Sequence, residues 1–235
     1  MKQIVAVSLA IAACAFARAV PAQEVEKPVP IVRAPYHRPV FTNEYVTLLD
    51  IYIPPGRNTG YHVHSQDSVS VSISPARQTN QVYGSAKVDP PGAGGEAGRV
   101  TFTPYFKDGT RTHKATNVDS IPFHNVSFLL NSRAPYQTTP STRNVMGYTL
   151  IMDNDRVRGW RVTLEPGQST GPITQTAPGL RVVVRGGEIV ELVPDTADRA
   201  WWLGDGQYFW QDEGTTRRVR NIGAARVEFV EFELK

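Results

Sequence analysis

Cysteine is almost absent from this chain. The 235 residues include one cysteine, Cys14, which lies in the N-terminal leader. Once the leader is removed, the protein can form no disulfide of its own and has no thiol nucleophile and no thiolate metal ligand. Any metal centre must therefore be built from histidine, carboxylate or other oxygen ligands.

Long hydrophobic runs are missing outside the first 22 residues, and that leader is typical of an export signal. Lys2 supplies a positive start, Ile4 to Ala13 is an apolar stretch too short to span a bilayer, and Val20-Pro21-Ala22 is a small-residue cleavage site. We therefore expect a periplasmic or secreted protein, cleaved near Ala22, with no transmembrane segment in the mature chain. Cys14 also fits a lipoprotein signal, although the leader before it is short for that alternative.

The chain has no strong excess of either charge. Two of its 25 basic residues, Lys2 and Arg18, and none of its 22 acidic residues lie in the leader, so the net charge falls from +3 to +1 on cleavage. A nucleic-acid-binding domain usually carries a basic face. The one basic run, Arg217 to Arg220, is more simply explained as a solvated strand face. We expect no nucleic-acid partner and a small molecule as ligand or substrate.

No segment shows a sustained helical period of apolar residues. The apolar residues instead alternate with polar ones in short stretches bounded by Gly, Pro, Asn and Asp, which is typical of β-strands. Val69, Val71 and Ile73 alternate with serines, and Val126 and Phe128 follow the same rule. We expect Val126 and Phe128 to face a barrel interior. The pattern predicts an all-β barrel or sandwich with a hydrophobic core.

An internal repeat indicates two such units. Leu49–Gly56 matches Trp160–Gly167, and Asn117–Leu130 aligns without a gap with Asn221–Leu234. Within the first unit, residues 84–98 form an irregular stretch that is rich in glycine, which is typical of a disordered loop or a lid. The predicted boundaries are a signal peptide over 1–22, an N-terminal barrel over 31–130, a linker over 131–147 and a C-terminal barrel over 148–235.

Histidine is scarce as well, yet three of the five histidines fall in a pattern. Gly56-x5-His62-Val63-His64 is followed about fifty residues later by Gly109-x3-His113-x3-Asn117. Residues two apart in a strand share a face, so His62 and His64 point the same way. A third imidazole from another strand would complete a metal site, because neutral imidazole is a common ligand of transition metals.

These motifs resemble those of the cupin superfamily, and the repeat resembles a bicupin with two fused double-stranded β-helix (jelly-roll) domains. Gly56, His62 and His64 match the first cupin motif, G-x5-H-x-H-x3/4-E-x6-G, while His113 and Asn117 match the second, P-x-G-x2-H-x3-N. The resemblance covers the chain from about Tyr45 onwards. It implies two tandem barrels and one divalent transition metal held by His62, His64 and His113. The usual glutamate of the first motif is absent, since Ser68 stands at its place.

The missing glutamate leaves the metal and its fourth ligand open. Fe, Zn, Mn, Ni and Cu are all compatible with three imidazoles, and a neutral ligand set leaves the full charge of the ion to act on a substrate. Asp67, Gln66, His124 or a water molecule could supply the fourth ligand. For His124 a position at the barrel rim is the simpler interpretation. His37, in the Pro-rich lead-in, is interpreted as structural or exposed.

The second unit keeps the turn glycine and the asparagine of the repeat, Gly167 and Asn221, but has none of the three histidines. Gly167 is followed by Ile173-Thr174-Gln175 where His-x-His belongs, and Arg217 takes the place of the third histidine. A buried guanidinium needs a partner. Arg217 could form an anion-binding pocket, but an ion pair with Glu188, Glu191 or Glu213, or exposure, is the simpler expectation. All four tryptophans lie in this unit and are interpreted as core, as a seal between barrels or as a pocket lining.

Two functions fit this sequence, and whether the protein is an enzyme stays open. The first is a metal-dependent reaction on a small anionic molecule, either dioxygenase-like or Lewis-acid chemistry, with Asp67 or His124 as the available acid or base. The second is a non-catalytic binding or sensor module. Cupins are often dimers, so the resemblance also implies a homodimer as one arrangement.

Overall fold

The computed structural model describes residues 26–131 and 143–235, which form two β-barrels. Within these residues each barrel consists of a four-stranded and a five-stranded sheet. The first barrel contains β1 (Val29–Pro30), β2 (His37–Thr42), β3 (Val46–Ile53), β4 (His62–His64), β5 (Ser68–Ser74), β6 (Gln78–Val82), β7 (Val100–Thr103), β8 (Arg111–Asn117) and β9 (Phe123–Leu130). The second contains β10 (Tyr148–Asp153), β11 (Val157–Leu164), β12 (Ile173–Thr174), β13 (Gly179–Arg185), β14 (Gly187–Leu192), β15 (Arg199–Leu203), β16 (Tyr208–Gln211), β17 (Thr216–Asn221) and β18 (Val227–Leu234).

The all-β prediction is confirmed. Strand order is β1-β4-β8-β6 and β2-β3-β9-β5-β7 in the first barrel, and β12-β17-β14-β15 and β10-β11-β18-β13-β16 in the second. The described helices are a 3-10 turn at Ile31–Arg33 and α1 at Tyr105–Asp108. None of the helices in the described residues is long and apolar enough to cross a membrane.

The two five-stranded sheets pack face to face and share one hydrophobic core. Val126 and Phe128 belong to this core, and the Phe128 ring meets that of Phe232 at 5.1 Å between centroids. The expectation that Val126 and Phe128 face a barrel interior is therefore wrong. Because side chains alternate along a strand, the interior side of β9 is formed instead by Asn125, Ser127 and Leu129. Alternation predicts two faces but not which of them meets a second barrel.

Corresponding turns support the predicted repeat. Gly56 and Gly167 both adopt positive φ values, 72° and 79°, which favour glycine. Their amides donate to the carbonyls of Asn117 and Asn221, each at 3.0 Å. The side-chain amide of each asparagine in turn donates to two backbone carbonyls of its own barrel. These asparagines therefore hold the turn in both barrels, whatever ligands lie nearby.

Two predicted segments fall largely or wholly outside the described residues. The signal peptide over 1–22, with Cys14, precedes residue 26, and most of the linker over 131–147 lies in 132–142. Export, cleavage near Ala22 and the domain boundaries therefore stay predictions.

Candidate metal centre

Three histidine side chains converge inside the first barrel. His62 and His64 lie on the same face of β4, and His113 on β8 stands directly opposite His62 in the antiparallel register. The Nε2 atom of His64 is 3.0 Å from Nε2 of His62 and 3.0 Å from Nε2 of His113. One ring nitrogen from each residue lies within 4.8 Å of the others.

The second nitrogen of two of these rings is already engaged. Nδ1 of His62 lies 3.2 Å from the carbonyl of Gly60, and Nδ1 of His113 lies 2.9 Å from Oδ1 of Asn80. Because those oxygens accept hydrogen bonds, each Nδ1 is the donor and the neutral ring keeps its lone pair on Nε2. Such outer hydrogen bonds orient the imidazoles of a metal site.

The convergence fits a metal ion better than it fits hydrogen bonds among the rings. His62 and His113 both direct a lone pair towards His64, whose single Nε2 proton can satisfy one of them at most. Metal–imidazole bonds are about 2.0–2.1 Å long. With that length, the two Nε2 pairs that are 3.0 Å apart would each reach one shared ion.

Burial keeps these imidazoles neutral and ready to bind a cation. Desolvation, reinforced by the neighbouring rings, lowers the pKa of His64 to about 2 and that of His113 to about 3. Desolvation also lowers the pKa of His62, the most buried ring of the three. Metal binding therefore requires no deprotonation at neutral pH.

The triad opens into a cavity of about 130 Å³ inside the barrel. The five-stranded sheet of the first barrel gives the cavity both apolar lining residues, Ile51, Ile53 and Leu129, and polar ones, Ser68, Ser70 and Ser127. No carboxylate lines this cavity in the described part of the chain. Ser68, which stands where the cupin glutamate is expected, is among the lining residues and is 7% exposed.

The same register positions in the second barrel carry charged residues. Arg217 pairs with Ile173 as His113 pairs with His62, and Arg181 pairs with Glu231 as Ser70 pairs with Ser127. Glu231 is completely buried. The resulting network joins three arginines and three glutamates: Arg143, Arg181, Arg217, Glu191, Glu231 and Glu233.

Sequence comparison identifies neither a family nor a relative, whereas structural comparison does identify the fold. No protein-family model matches, and no curated protein matches. A salicylate 1,2-dioxygenase from Pseudaminobacter salicylatoxidans superposes with a TM-score of 0.53 at 12% identity, covering 82% of this chain and 72% of that one. A variant of Bacillus subtilis oxalate decarboxylase reaches 0.54 at 11% identity, covering 81% and 69%. AerE from Microcystis aeruginosa reaches 0.52 at 12% identity, covering 86% and 98%.

The chain has a bicupin fold. The predicted architecture of two tandem cupin barrels is thereby confirmed, and the motif histidines lie together in the first barrel as expected. At these identities the likeness extends to the fold alone. What the bicupin does must be argued from its own residues.

Asp67 does not face the triad. Its Oδ1 accepts the backbone amide of Phe106 at 2.8 Å, at the start of α1, and its Oδ2 lies 2.6 Å from Nη1 of Arg156 in the second barrel. Both carboxylate oxygens are therefore engaged, Oδ1 within the first barrel and Oδ2 in an ion pair that joins the two barrels. Neither Asp67 nor Gln66 lines the histidine cavity. The strand begins after Asp67, so sequence parity could not place this side chain.

We expect Asp67→Asn to lower the free energy of unfolding by about 2–3 kcal/mol, because it breaks a largely buried ion pair. Urea denaturation of the purified protein measures this change. Asp119→Asn is the matched control, since it breaks the surface pair with Arg77 and should cost less than about 1 kcal/mol. Loss of bound metal from Asp67→Asn at unchanged stability would instead identify Asp67 as a ligand.

The other two histidines lie on different sides of the barrel wall. His124 lies on the outer side of β9, where its Nε2 is 2.8 Å from Oδ1 of Asp50, so it is neither a fourth ligand nor a shuttle within the cavity. His37 is 8% exposed, lines the cavity and lies 4.8 Å from His62 between ring centroids. Of the two interpretations of His37, structural or exposed, exposure is wrong. The pairing of β2 with β3, together with that of β1 with β4, brings the lead-in next to the triad.

Arg217 is buried and forms ion pairs, as expected of a buried guanidinium. Of its two carboxylate partners, Glu191 was among those predicted and Glu231 was not. Its Nη2 lies 2.9 Å from Oε2 of Glu231, and its Nε lies 3.8 Å from Oε1 of Glu191. Glu231 and Arg143 were both missed. Arg143 lies in the predicted linker, and the alternating pattern Glu231-Phe232-Glu233 of β18 is typical of a half-exposed strand.

Two of the tryptophans have expected structural roles, whereas Trp202 has none of them. Trp160 is fully buried in the second barrel beneath the guanidinium of Arg143, which lies 4.2 Å from the ring centroid. Trp210 stacks on Tyr45 at 5.7 Å and seals the junction of the barrels. Trp202 is 71% exposed.

Proposed function

We propose that this bicupin is an exported protein whose N-terminal barrel binds one divalent transition metal through His62, His64 and His113. Through that metal the barrel binds a small anionic molecule. The observation that carries the proposal is the convergence of three buried imidazole nitrogens on one point, with Nε2 separations of 3.0 Å and lone pairs that no proton can satisfy together.

An anionic ligand follows from the charges around the triad. The three imidazoles are neutral, and the cavity has no carboxylate among the described residues, so nothing in the lining balances a dication. Arg111 lies opposite His64 across the β4–β8 ladder, and its charge contributes to lowering the pKa of all three ligands. A ligand that brings negative charge is therefore favoured over a neutral one.

The residues around the triad can position and orient such a ligand. When bound, a transition metal in this site supplies Lewis-acid polarisation or a site for dioxygen. His37 donates Nδ1–H to the carbonyl of Pro35 at 3.0 Å, which leaves its Nε2 as an acceptor at the cavity wall. Ser127 donates its hydroxyl proton to Oδ1 of Asn125 at 2.8 Å and shares a 2.7 Å hydrogen bond with Ser70, so these two hydroxyls offer lone pairs to a ligand and donate to it only by giving up one of these bonds. Ile51, Ile53 and Leu129 give the same cavity an apolar lining.

Metal analysis of the purified protein tests the site. We expect about one transition metal per chain in the wild type and at least a tenfold lower content in His113→Ala, because losing one of three ligands removes a third of the bonds. His124→Gln is the matched control, since it removes a histidine outside the cavity and should keep the metal.

N-terminal sequencing of the same preparation tests export. The sequence should begin at Gln23 if the leader is cleaved.

Oxygen uptake separates the two functions that the sequence left open. Two structural neighbours carry the names of salicylate and oxalate, so small aromatic and aliphatic carboxylates are the natural first probes. Uptake or product formation that disappears in His113→Ala supports an enzyme. Metal-dependent binding of the carboxylates without turnover supports the sensor module. A folded wild-type protein that takes up no metal would contradict the proposal.

A further inference from the structure

A second cavity continues from the metal cavity towards the surface. It has a volume of about 320 Å³ and lies between β5, β6 and the glycine-rich loop 84–98, which contributes Gly92, Gly94 and Gly95 to its wall. The two cavities have four lining residues in common: Ser70, Gln78, Phe123 and Asn125. A ligand at the triad can therefore extend outwards past these shared side chains.

A polar stripe runs along the floor of both cavities. Ser68, Ser70 and Ser72 lie on one face of β5, because side chains alternate along a strand. Ser68 and Ser70 line the metal cavity, while Ser70 and Ser72 line the outer one. At about 3.3 Å per residue, the stripe covers roughly 13 Å from Ser68 to Ser72. Asn125 accepts a hydrogen bond from Ser127 at 2.8 Å and widens the stripe on the neighbouring strand.

Arg99 lies at the outer end of this stripe. Its carbonyl accepts the amide of Ser72 at 3.0 Å, and its side chain is among those that line the outer cavity. Within residues 26–131 and 143–235 the Arg99 guanidinium has no carboxylate partner, whereas Arg38 pairs with Asp50 and Arg77 pairs with Asp119. No acidic residue of the described chain lines the outer cavity, so Arg99 is its charged group.

We propose that the outer cavity is a second anion subsite, which makes the ligand an elongated molecule with an anionic group at each end. One end is held at the triad and the other by Arg99, with the serine stripe of roughly 13 Å between them. This inference rests on the proposed function, because the metal binds the first anionic group. Serine hydroxyls and the Asn125 and Gln78 amides between the two ends suit a chain that carries oxygen atoms, and Phe123 suits its carbon skeleton.

The expected contribution of Arg99 is moderate. Guanidinium–carboxylate pairs are charge-assisted and can be bidentate, but Arg99 is an exposed residue, so solvent and salt weaken the pair. A loss of about three- to fivefold in affinity on removing the guanidinium is consistent with such an exposed pair. The loss should shrink as the salt concentration rises.

Calorimetric titration of the metal-loaded protein with unbranched dicarboxylates from oxalate to sebacate tests the subsite, with acetate as the single-anion probe. We expect the affinity to rise with chain length to an optimum among the longer members. In Arg99→Gln the affinity at that optimum should fall about three- to fivefold, while the affinities for acetate and oxalate stay unchanged. Arg77→Gln is the matched control, since Arg77 is an exposed arginine of the same barrel that lines neither cavity, and it should reproduce the wild-type series.

The outcomes separate this inference from the proposed function. If acetate or oxalate binds in a metal-dependent way but affinity does not depend on chain length, or if Arg99→Gln keeps the wild-type optimum, the subsite is refuted and the metal site stands. If the protein takes up no metal, or binds none of the series, the proposed function fails and the subsite fails with it.

Discussion

Replacing Glu231 with glutamine should lower the free energy of unfolding by about 3–5 kcal/mol, the cost of leaving buried charges without their partner. Glu231 is 0% exposed and lies within 2.9 Å of Arg181 and Arg217, and Arg143 donates to it as well. Without its charge, three buried guanidiniums would share the two remaining carboxylates of the network. The same cluster fills the place that the metal cavity occupies in the first barrel.

The lowered pKa of Glu231 also indicates that its charged form stabilises the fold. Burial alone would raise its pKa, but the guanidiniums of Arg217, Arg181 and Arg143 hold the pKa well below its usual range. A carboxyl whose pKa is depressed by folding stabilises the protein above its unfolded value, near 4.5, and loses this contribution as the pH falls towards the folded value. The network is therefore fully effective at neutral pH.

Glu228→Gln is the matched control on the same strand. Glu228 is also buried, but its partners Arg161 and Arg226 are 36% and 48% exposed and lie at 3.5 and 3.7 Å. We expect a cost below about 1 kcal/mol there. Urea denaturation followed by circular dichroism measures both variants, and equal costs would contradict a central role for Glu231. Because the two barrels share one hydrophobic core, both variants should unfold in a single transition.

The metal-free protein should lose several kcal/mol of stability between pH 6.5 and pH 4.5. Desolvation by burial lowers the pKa of His37 to about 4, of His64 to about 2 and of His113 to about 3. All three rings stay largely neutral in the folded protein over this range, whereas in the unfolded chain they take up protons below about 6.5. Each ring therefore destabilises the fold by about 1.4 kcal/mol per pH unit as the pH falls.

Denaturation of the chelated protein at a series of pH values measures this slope. His64→Leu should reduce it by about 1.4 kcal/mol per pH unit, because one buried titrating ring is gone. Above pH 7 these residues add no slope, which supplies an internal reference. A flat profile from pH 6.5 to 4.5 would show that the rings are not buried as described. Because the folded rings stay neutral over this range, the metal-loaded protein should keep its metal from pH 6.5 to 4.5 as long as it stays folded.

Part of the fold and most of the triad could be predicted because they depend on local rules. Period-2 alternation indicates strands wherever one face is buried, and the two Pro-Gly turns recur because the same positive φ is needed in both barrels. His62 and His64 share a face by strand geometry alone. His113 could be assigned to the same site only through the resemblance to cupins, because no local sequence rule predicts that β4 pairs with β8.

The residues whose surroundings the sequence left open are those whose neighbours come from distant parts of the chain. Asp67 forms an ion pair with Arg156 and His124 a hydrogen bond with Asp50, across 89 and 74 positions of sequence. His37 reaches the cavity only because β2 joins the sheet behind the triad. Glu231 looks like an exposed strand residue until Arg143, Arg181 and Arg217 surround it.

The sequence by itself determined that this chain is built of two repeated β units and that the first alone carries three histidines at metal-ligand spacing, because strand periodicity and turn chemistry are local. Only the tertiary structure decided which faces of the strands meet. It turned Val126 and Phe128 towards the second barrel, left serines in place of a carboxylate beside the triad, and filled the second barrel with paired charges. Burial and charge compensation depend on contacts between strands far apart in the chain, and no local pattern encodes them.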